Sequence, residues 1–128
     1  MTGIQVDPRD RRPIYEQLIV NIRDLVLRGT LGPDEQMPSV RALAAELAIN
    51  PNTIQKAYAE LERQGVIYSL PGRGSFVCPD PTAMRRAEQA KRLAALWEDL
   101  REAHRFGFSR AEVEEILDEI WRDEHDPN

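Results

Sequence analysis

The chain has 128 residues, 41% hydrophobic and 30% charged, a composition that suits one ordinary domain with a short appendage. It lacks an apolar run near the ~20 residues needed to span a bilayer, and no early apolar stretch would serve as a signal peptide. A cytoplasmic protein with no membrane partner is therefore expected. The single cysteine, Cys78, excludes an internal disulfide framework, and with only two histidines no metal site is expected.

The formal net charge of −5 is unevenly distributed along the chain. Residues 1–79 contain nine Lys or Arg and nine Asp or Glu, whereas residues 80–128 contain eight and thirteen. This asymmetry predicts different roles for the two parts. The neutral first part remains compatible with nucleic-acid binding if its basic residues cluster on one face.

Two helices are predicted first, over residues 13–28 and 40–47. Pro13 suits a first helical turn, apolar residues then recur at helical spacing, and Gly29 is a plausible stop. Ser39 is a good N-cap for the second helix.

A third helix is predicted from Asn50-Pro51 to Gln64, ahead of Gly65. Asn50 suits the N-cap and Pro51 the first turn, and only about three residues separate this helix from the one before. Two short helices joined in this way outline a helix-turn-helix.

After the third helix the period of hydrophobic residues changes to two. Residues 66–70 and 75–78 are predicted to be short strands, joined by a hairpin loop at 71–74. A helix-turn-helix followed by a hairpin is a winged helix. We therefore predict a mainly α (α+β) fold, with a winged helix-turn-helix DNA-binding domain over 1–79.

The Pro-Asp-Pro sequence at 79–81 predicts a domain boundary, and residues 80–128 are predicted to be a helical dimerisation segment. One long helix is predicted over 82–105 and ends before Gly107. Ser109 and Glu112 fit a capping box at the start of a second helix.

One face of the third helix carries the residue types that recognise bases. At 100° per residue, Asn52 and Lys56 lie opposite the apolar side, with Thr53 and Gln55 on the flanks. Asn and Gln pair with adenine, Lys binds guanine acceptors, and Thr contacts the thymine methyl. An ordinary solvated polar face is the alternative; the neighbouring helix and hairpin favour DNA.

Three further positions are predicted to contact the DNA backbone or groove. Arg41 lies in the first turn of the second helix, beside N–H groups that suit a phosphate. Arg73 lies between Gly72 and Gly74 at the hairpin tip, where small residues permit close approach and arginine suits a narrow minor groove. Both arginines have the alternative of being ordinary solvated side chains. Tyr15 either donates to a phosphate or packs against the domain.

The stretch from Pro13 to Val77 resembles the GntR family of regulators, and the length and two-helix C-terminal piece resemble its YtrA-like subfamily. The segments that carry the resemblance are PSVRALA, NPNT, AYAELERQG and GRGSFV. The resemblance implies a winged helix, a symmetric dimer and an operator with inverted half-sites.

The same resemblance implies roles for individual residues. Arg41, Thr53, Gly72 and Gly74 match DNA-contact positions of the family. Many members carry arginines in the recognition helix where this chain has Pro51 and Gln55, so base readout is expected to differ.

The C-terminal helices are predicted to form a homodimer interface. Their apolar stripe cannot be buried by two helices alone, and a second copy would cover it. The alternative is that both helices fold back on their own winged helix. The predicted interface residues are Leu93, Leu96, Trp97, Leu100, Val113, Ile116, Leu117, Ile120 and Trp121.

The favoured function is a sequence-specific DNA-binding regulator, with repression as the better guess because a small dimer can occlude a promoter. The sequence contains no nucleophile set, metal cluster or phosphate loop, so neither an enzyme nor a cofactor is expected. Double-stranded operator DNA and a second copy are the expected partners; a small-molecule effector of unknown identity stays open. The rival function is a winged helix used only for protein–protein contact.

Overall fold

A computed structural model describes residues 3–125. They form, in order, α1 (Ile14–Arg28), α2 (Val40–Leu47), α3 (Pro51–Arg63), β1 (Ile67–Leu70), β2 (Gly74–Val77), α4 (Thr82–Arg105) and α5 (Arg110–His125). The strands pair antiparallel, with Ile67 opposite Val77 and Leu70 opposite Gly74. The predicted fold class, a winged helix-turn-helix followed by two helices, is confirmed.

The helix-turn-helix begins where the sequence predicts because its capping side chains form the expected bonds. Ser39 Oγ accepts from the backbone N–H of Ala42 at 3.0 Å, and Asn50 Oδ1 accepts from that of Asn52 at 2.8 Å. Between the helices Ala48 adopts a left-handed conformation, with φ of 55°. This residue ends α2 and redirects the chain into α3.

Element boundaries differ from the prediction by a single residue at several places. Gly74 belongs to β2 and not to the loop, because the turn closes with Arg73 N–H donating to Leu70 O at 2.9 Å. Pro13 precedes α1 in an extended conformation, with ψ of 147°. Four residues predicted within helices or strands lie just outside them: Pro13, Gln64, Val66 and Cys78.

The hydrophobic core lies between the three N-terminal helices and the hairpin. Its largest fully buried side chains come from the three helices, from β2 and from the connecting segments: Leu18, Ile22, Val26, Leu31, Leu43, Ile54, Leu61, Val66 and Val77. Burial at this scale contributes roughly 1.5–3 kcal/mol for each large apolar side chain. The core therefore fixes α3 relative to α1, α2 and the β1–β2 hairpin, which is the wing.

A short backbone pairing before α2 was not predicted from the sequence. Gln36 forms an isolated antiparallel bridge with Phe76 of β2, and Met37 N–H donates to Ser75 O at 2.8 Å. One bridge leaves no periodic pattern in the sequence, so no strand was predicted for this segment. The pairing fastens the segment that leads into the helix-turn-helix to the wing.

The chain divides into two compact units, one that ends at Arg85 and one that begins at Arg86. The first turn of α4 thus belongs to the first unit, and the functional boundary after residue 79 stays a prediction. Between α4 and α5, Gly107 has a φ of 87°. Ser109 and Glu112 form the capping box: Ser109 N–H donates to Glu112 Oε1 at 2.9 Å, and Glu112 N–H donates to Ser109 Oγ at 3.1 Å.

Candidate nucleic-acid interface

Helix α3 separates an apolar side from a polar side. Ile54, Ala57, Tyr58 and Leu61 are buried. Asn52, Gln55 and Lys56 are exposed, and Thr53 is half-buried. The four polar side chains predicted to recognise bases thus occupy the first two turns of α3, and three of them are exposed.

Tyr58 ties α3 to the start of α2. Its hydroxyl donates to the backbone carbonyl of Pro38 at 2.7 Å, directly before the Ser39 cap. Burial, with a smaller effect from the negative charge of Glu46, raises the pKa of Tyr58 well above its ordinary value. The phenol therefore stays protonated and keeps donating at any pH at which the protein operates.

Lys56 is held by an aromatic ring of α1. Its ammonium nitrogen lies 5.8 Å from the centroid of the Tyr15 ring. Tyr15 is half-buried and packs against the core, as one of its two predicted roles requires. This cation–π contact orients the Lys56 side chain on the polar face of α3.

The tip of the wing, residues 71–74, has a backbone conformation that favours glycine. Gly72 and Gly74 have φ angles of 75° and 105°, a region that residues with a side chain rarely adopt. Arg73 between them is exposed, as is Arg41 in the first turn of α2. Within one compact unit, the start of α2, the start of α3 and the wing tip therefore each present a basic or amide side chain.

Sequence reasoning missed one residue that supports this surface. Gln36 Nε2 donates to the backbone carbonyl of Arg73 at 3.0 Å. The two residues are far apart in the chain, so no local pattern indicates that they meet. Their contact links the segment before α2 to the tip of the wing.

The described residues contain no cluster of three or more His, Cys, Asp or Glu that could hold a metal ion. Burial, assisted by the charges of Asp80 and Asp34, raises the pKa of the Cys78 thiol and keeps it in its neutral form. Over residues 3–125, no helix is both long and apolar enough to cross a membrane.

The fold and its polar face define a winged helix-turn-helix regulator. Residues 14–77 match the family described as "Bacterial regulatory proteins, gntR family". That match covers half of the chain, and the chain belongs to this family. It is a DNA-binding transcription regulator, and the rival role in protein–protein contact alone is not favoured.

Similarity to known proteins extends beyond the winged helix. The chain is 39% identical over 121 residues to the HTH-type transcriptional repressor YtrA of Bacillus subtilis (strain 168), covering 94% of this chain and 93% of that protein. A transcriptional regulator from Oenococcus oeni has a similar structure, with a TM-score of 0.74 and 34% identity over 91% of this chain and 97% of that one.

A second similar structure is a complex with an operator. It is AraR(DBD) in complex with operator ORE1, which has a TM-score of 0.51 and 30% identity over 58% of this chain and 90% of that chain. Together these matches confirm the family and the fold, both of which were predicted from the sequence.

Proposed function

We propose that this regulator is a repressor that binds, as a homodimer, an operator with two inverted half-sites. The observation that carries the proposal is the exposed amide and lysine face on the first two turns of α3. In a helix-turn-helix, those turns enter the major groove. The similarity to a repressor over nearly the whole of both chains favours repression.

Base recognition is assigned to the polar face of α3. Asn52 and Gln55 have the paired donor and acceptor that match the edge of adenine, and Lys56 donates to guanine acceptors. Thr53, half-buried at the edge of this face, supplies a methyl for thymine or a hydroxyl for a phosphate. This chain has Pro51 and Gln55 where many family members have arginines. Because Asn52 and Gln55 both match the edge of adenine, we expect its operator to be rich in adenine contacts.

The remaining contacts are assigned to α2 and the wing. Arg41, beside the free N–H groups at the start of α2, binds a backbone phosphate. Arg73 enters the minor groove, and Gly72 and Gly74 let the wing backbone approach the DNA. These contacts set affinity and register more than base preference.

The homodimer is assigned to the C-terminal unit. All nine predicted interface residues lie at least partly open to solvent, and only Val113 is half-buried. Leu93, Leu96, Trp97 and Leu100 form an open apolar strip along α4, which Arg101, His104 and Arg105 continue. Among the described residues, α4 and α5 have no extensive packing contact with each other. A second copy would bury both helices.

Dimerisation also serves DNA recognition. A two-fold axis places two recognition helices about 34–36 Å apart, one turn of DNA, which is the spacing of inverted half-sites. The acidic C-terminal part, which carries the whole net charge of −5, would be repelled by phosphates. We therefore expect it to face away from the duplex.

We also propose that the protein is cytoplasmic, because that is where it would meet operator DNA. Since the relatives of this chain are transcription regulators, we propose that it binds DNA and catalyses no reaction. We assign no cofactor. We propose no particular small-molecule effector; a change of operator affinity when a metabolite is added would identify one.

The proposal is tested by titrating the purified protein against its own upstream DNA and a scrambled duplex at several salt concentrations. We expect selective binding whose log affinity falls linearly with log salt concentration, with a slope of about −0.9 for each phosphate contact. Absence of preference between the duplexes, or absence of binding at low salt, would contradict the proposal. The protein–protein interaction role would then be favoured.

A further inference from the structure

Gln36 belongs to the segment before α2, but its side chain reaches the wing tip. Its backbone pairs with Phe76, and the next residue, Met37, donates its N–H to Ser75 O at 2.8 Å. From this anchored backbone, Gln36 Nε2 donates to Arg73 O at 3.0 Å. Gln36 thus connects the segment before α2 both to β2 and to the tip of the wing.

The hydrogen bond from Gln36 restrains the backbone of Arg73, which its neighbours leave free to rotate. Gly72 and Gly74 flank Arg73 and lack the side chains that limit backbone rotation. Arg73 N–H donates to Leu70 O at 2.9 Å within the hairpin. The carbonyl of Arg73 is held by Gln36, from outside the hairpin.

Gly74 lies directly beside this contact. A Cβ atom built at Gly74 would lie 3.4 Å from Gln36 Nε2, at the short end of ordinary van der Waals contact. Its φ of 105° is one that residues with a side chain rarely adopt. Glycine at this position therefore permits the backbone conformation that brings the wing tip next to the Gln36 amide.

We propose that Gln36 is a positioning residue for DNA binding, acting through the backbone of Arg73. It fixes the peptide that carries the Arg73 side chain, so the arginine meets the groove with less loss of conformational freedom. This inference rests on the proposed function, specifically on the wing contact.

The test is a double-mutant cycle of Gln36→Met and Arg73→Ala. Methionine is close to glutamine in size and lacks the donor. Affinity is measured against the best duplex that the wild-type protein selects from a random library, and against its scrambled counterpart. Gln36→Met should weaken binding to both about three- to tenfold, the usual effect of one hydrogen bond. In the Arg73→Ala background this loss should disappear.

A matched control and a second measurement separate positioning from folding. Gln89→Met makes the same change at an exposed position of α4 and should leave affinity unchanged. In the free protein, ¹⁵N relaxation should show a lower order parameter at Arg73 in Gln36→Met, with the order of α3 unchanged. A structural role would instead lower the order of the whole unit.

The outcomes distinguish this inference from the proposed function. If Arg73→Ala weakens binding but Gln36→Met has no effect, or an equal effect in both backgrounds, the positioning role is overturned alone. If Arg73→Ala leaves affinity unchanged at moderate salt, the wing contact of the proposed function fails, and the positioning role fails with it.

Discussion

The ammonium nitrogen of Lys56 lies 5.8 Å from the centroid of the Tyr15 ring, so α1 orients a cation on α3. Replacing Tyr15 with Phe keeps the ring, whereas Leu removes it. We expect Tyr15→Phe to bind operator DNA as the wild type does and Tyr15→Leu to bind about two- to fivefold more weakly, from the loss of the cation–π contact. Fluorescence anisotropy with a labelled duplex measures both.

The same two variants decide between the two roles predicted for Tyr15. If the hydroxyl donates to a phosphate, Tyr15→Phe will weaken binding as much as Tyr15→Leu does. A Lys56→Ala background is the control, because there Tyr15→Leu should have no further effect if it acts through Lys56. Circular dichroism checks that the half-buried position tolerates leucine.

Arg73 and Gln55 should contribute to binding in different ways. Arg73→Ala should weaken binding to operator and scrambled duplexes by the same factor and make the log–log salt slope shallower by about 0.9, because one cation is removed. Gln55→Ala should mainly reduce the preference for the operator, since an amide recognises a base edge. Titrations of both variants on both duplexes provide the comparison. A loss of selectivity in Arg73→Ala, with equal loss of slope in Gln55→Ala, would reverse the two roles.

The oligomeric state should depend on the apolar stripe of α5. Trp121 is 53% exposed and Leu117 is 42% exposed in the single chain, a costly arrangement unless a second copy covers them. Replacing both with Ala should give monomers in sedimentation velocity and weaken operator binding. The matched control is Glu115→Ala with Glu119→Ala on the opposite side of the same helix. A dimer that survives loss of both apolar residues would reject this interface.

Tyr58 should contribute to stability and not directly to recognition. Tyr58→Phe removes the hydroxyl that donates to Pro38 O at 2.7 Å. The expected cost is about 1 kcal/mol in the free energy of unfolding, which lowers Tm by about 4–8 °C in a domain of this size. Thermal unfolding followed by circular dichroism measures this shift. An unchanged Tm would mean that water replaces the hydroxyl without cost.

Local signals made the helices and caps predictable, whereas contacts between distant residues were not. Ser39 and Asn50 each cap a helix within three residues of themselves, so the sequence alone locates them. The Gln36–Arg73 hydrogen bond depends on how the wing folds back against the segment before α2. No spacing of residues encodes that approach, and the same is true of Lys56 over Tyr15.

The capping box of α5 gives the chain a pH dependence that can be assigned to one residue. The backbone N–H of Ser109, donating to Glu112 Oε1 at 2.9 Å, lowers the pKa of Glu112 below its ordinary value of 4.5; a side-chain hydrogen bond with Ser109 lowers it further. The folded chain thus favours the charged form. Its stabilising effect is present above pH 4.5 and is lost as the pH falls through the lowered pKa.

Carboxyl-detected NMR titration of Glu112 measures this directly. We expect a midpoint below 4.5 in the wild type, together with loss of helical amide shifts at the start of α5 over the same pH range. Ser109→Ala removes one half of the capping box and should raise the midpoint toward the ordinary value. Salt screens long-range charge interactions but has little effect on a short hydrogen bond. If hydrogen bonding is the main cause of the lowered pKa, added salt should therefore change the midpoint of Glu112 only slightly. A wild-type midpoint at or above 4.5 would contradict the assignment.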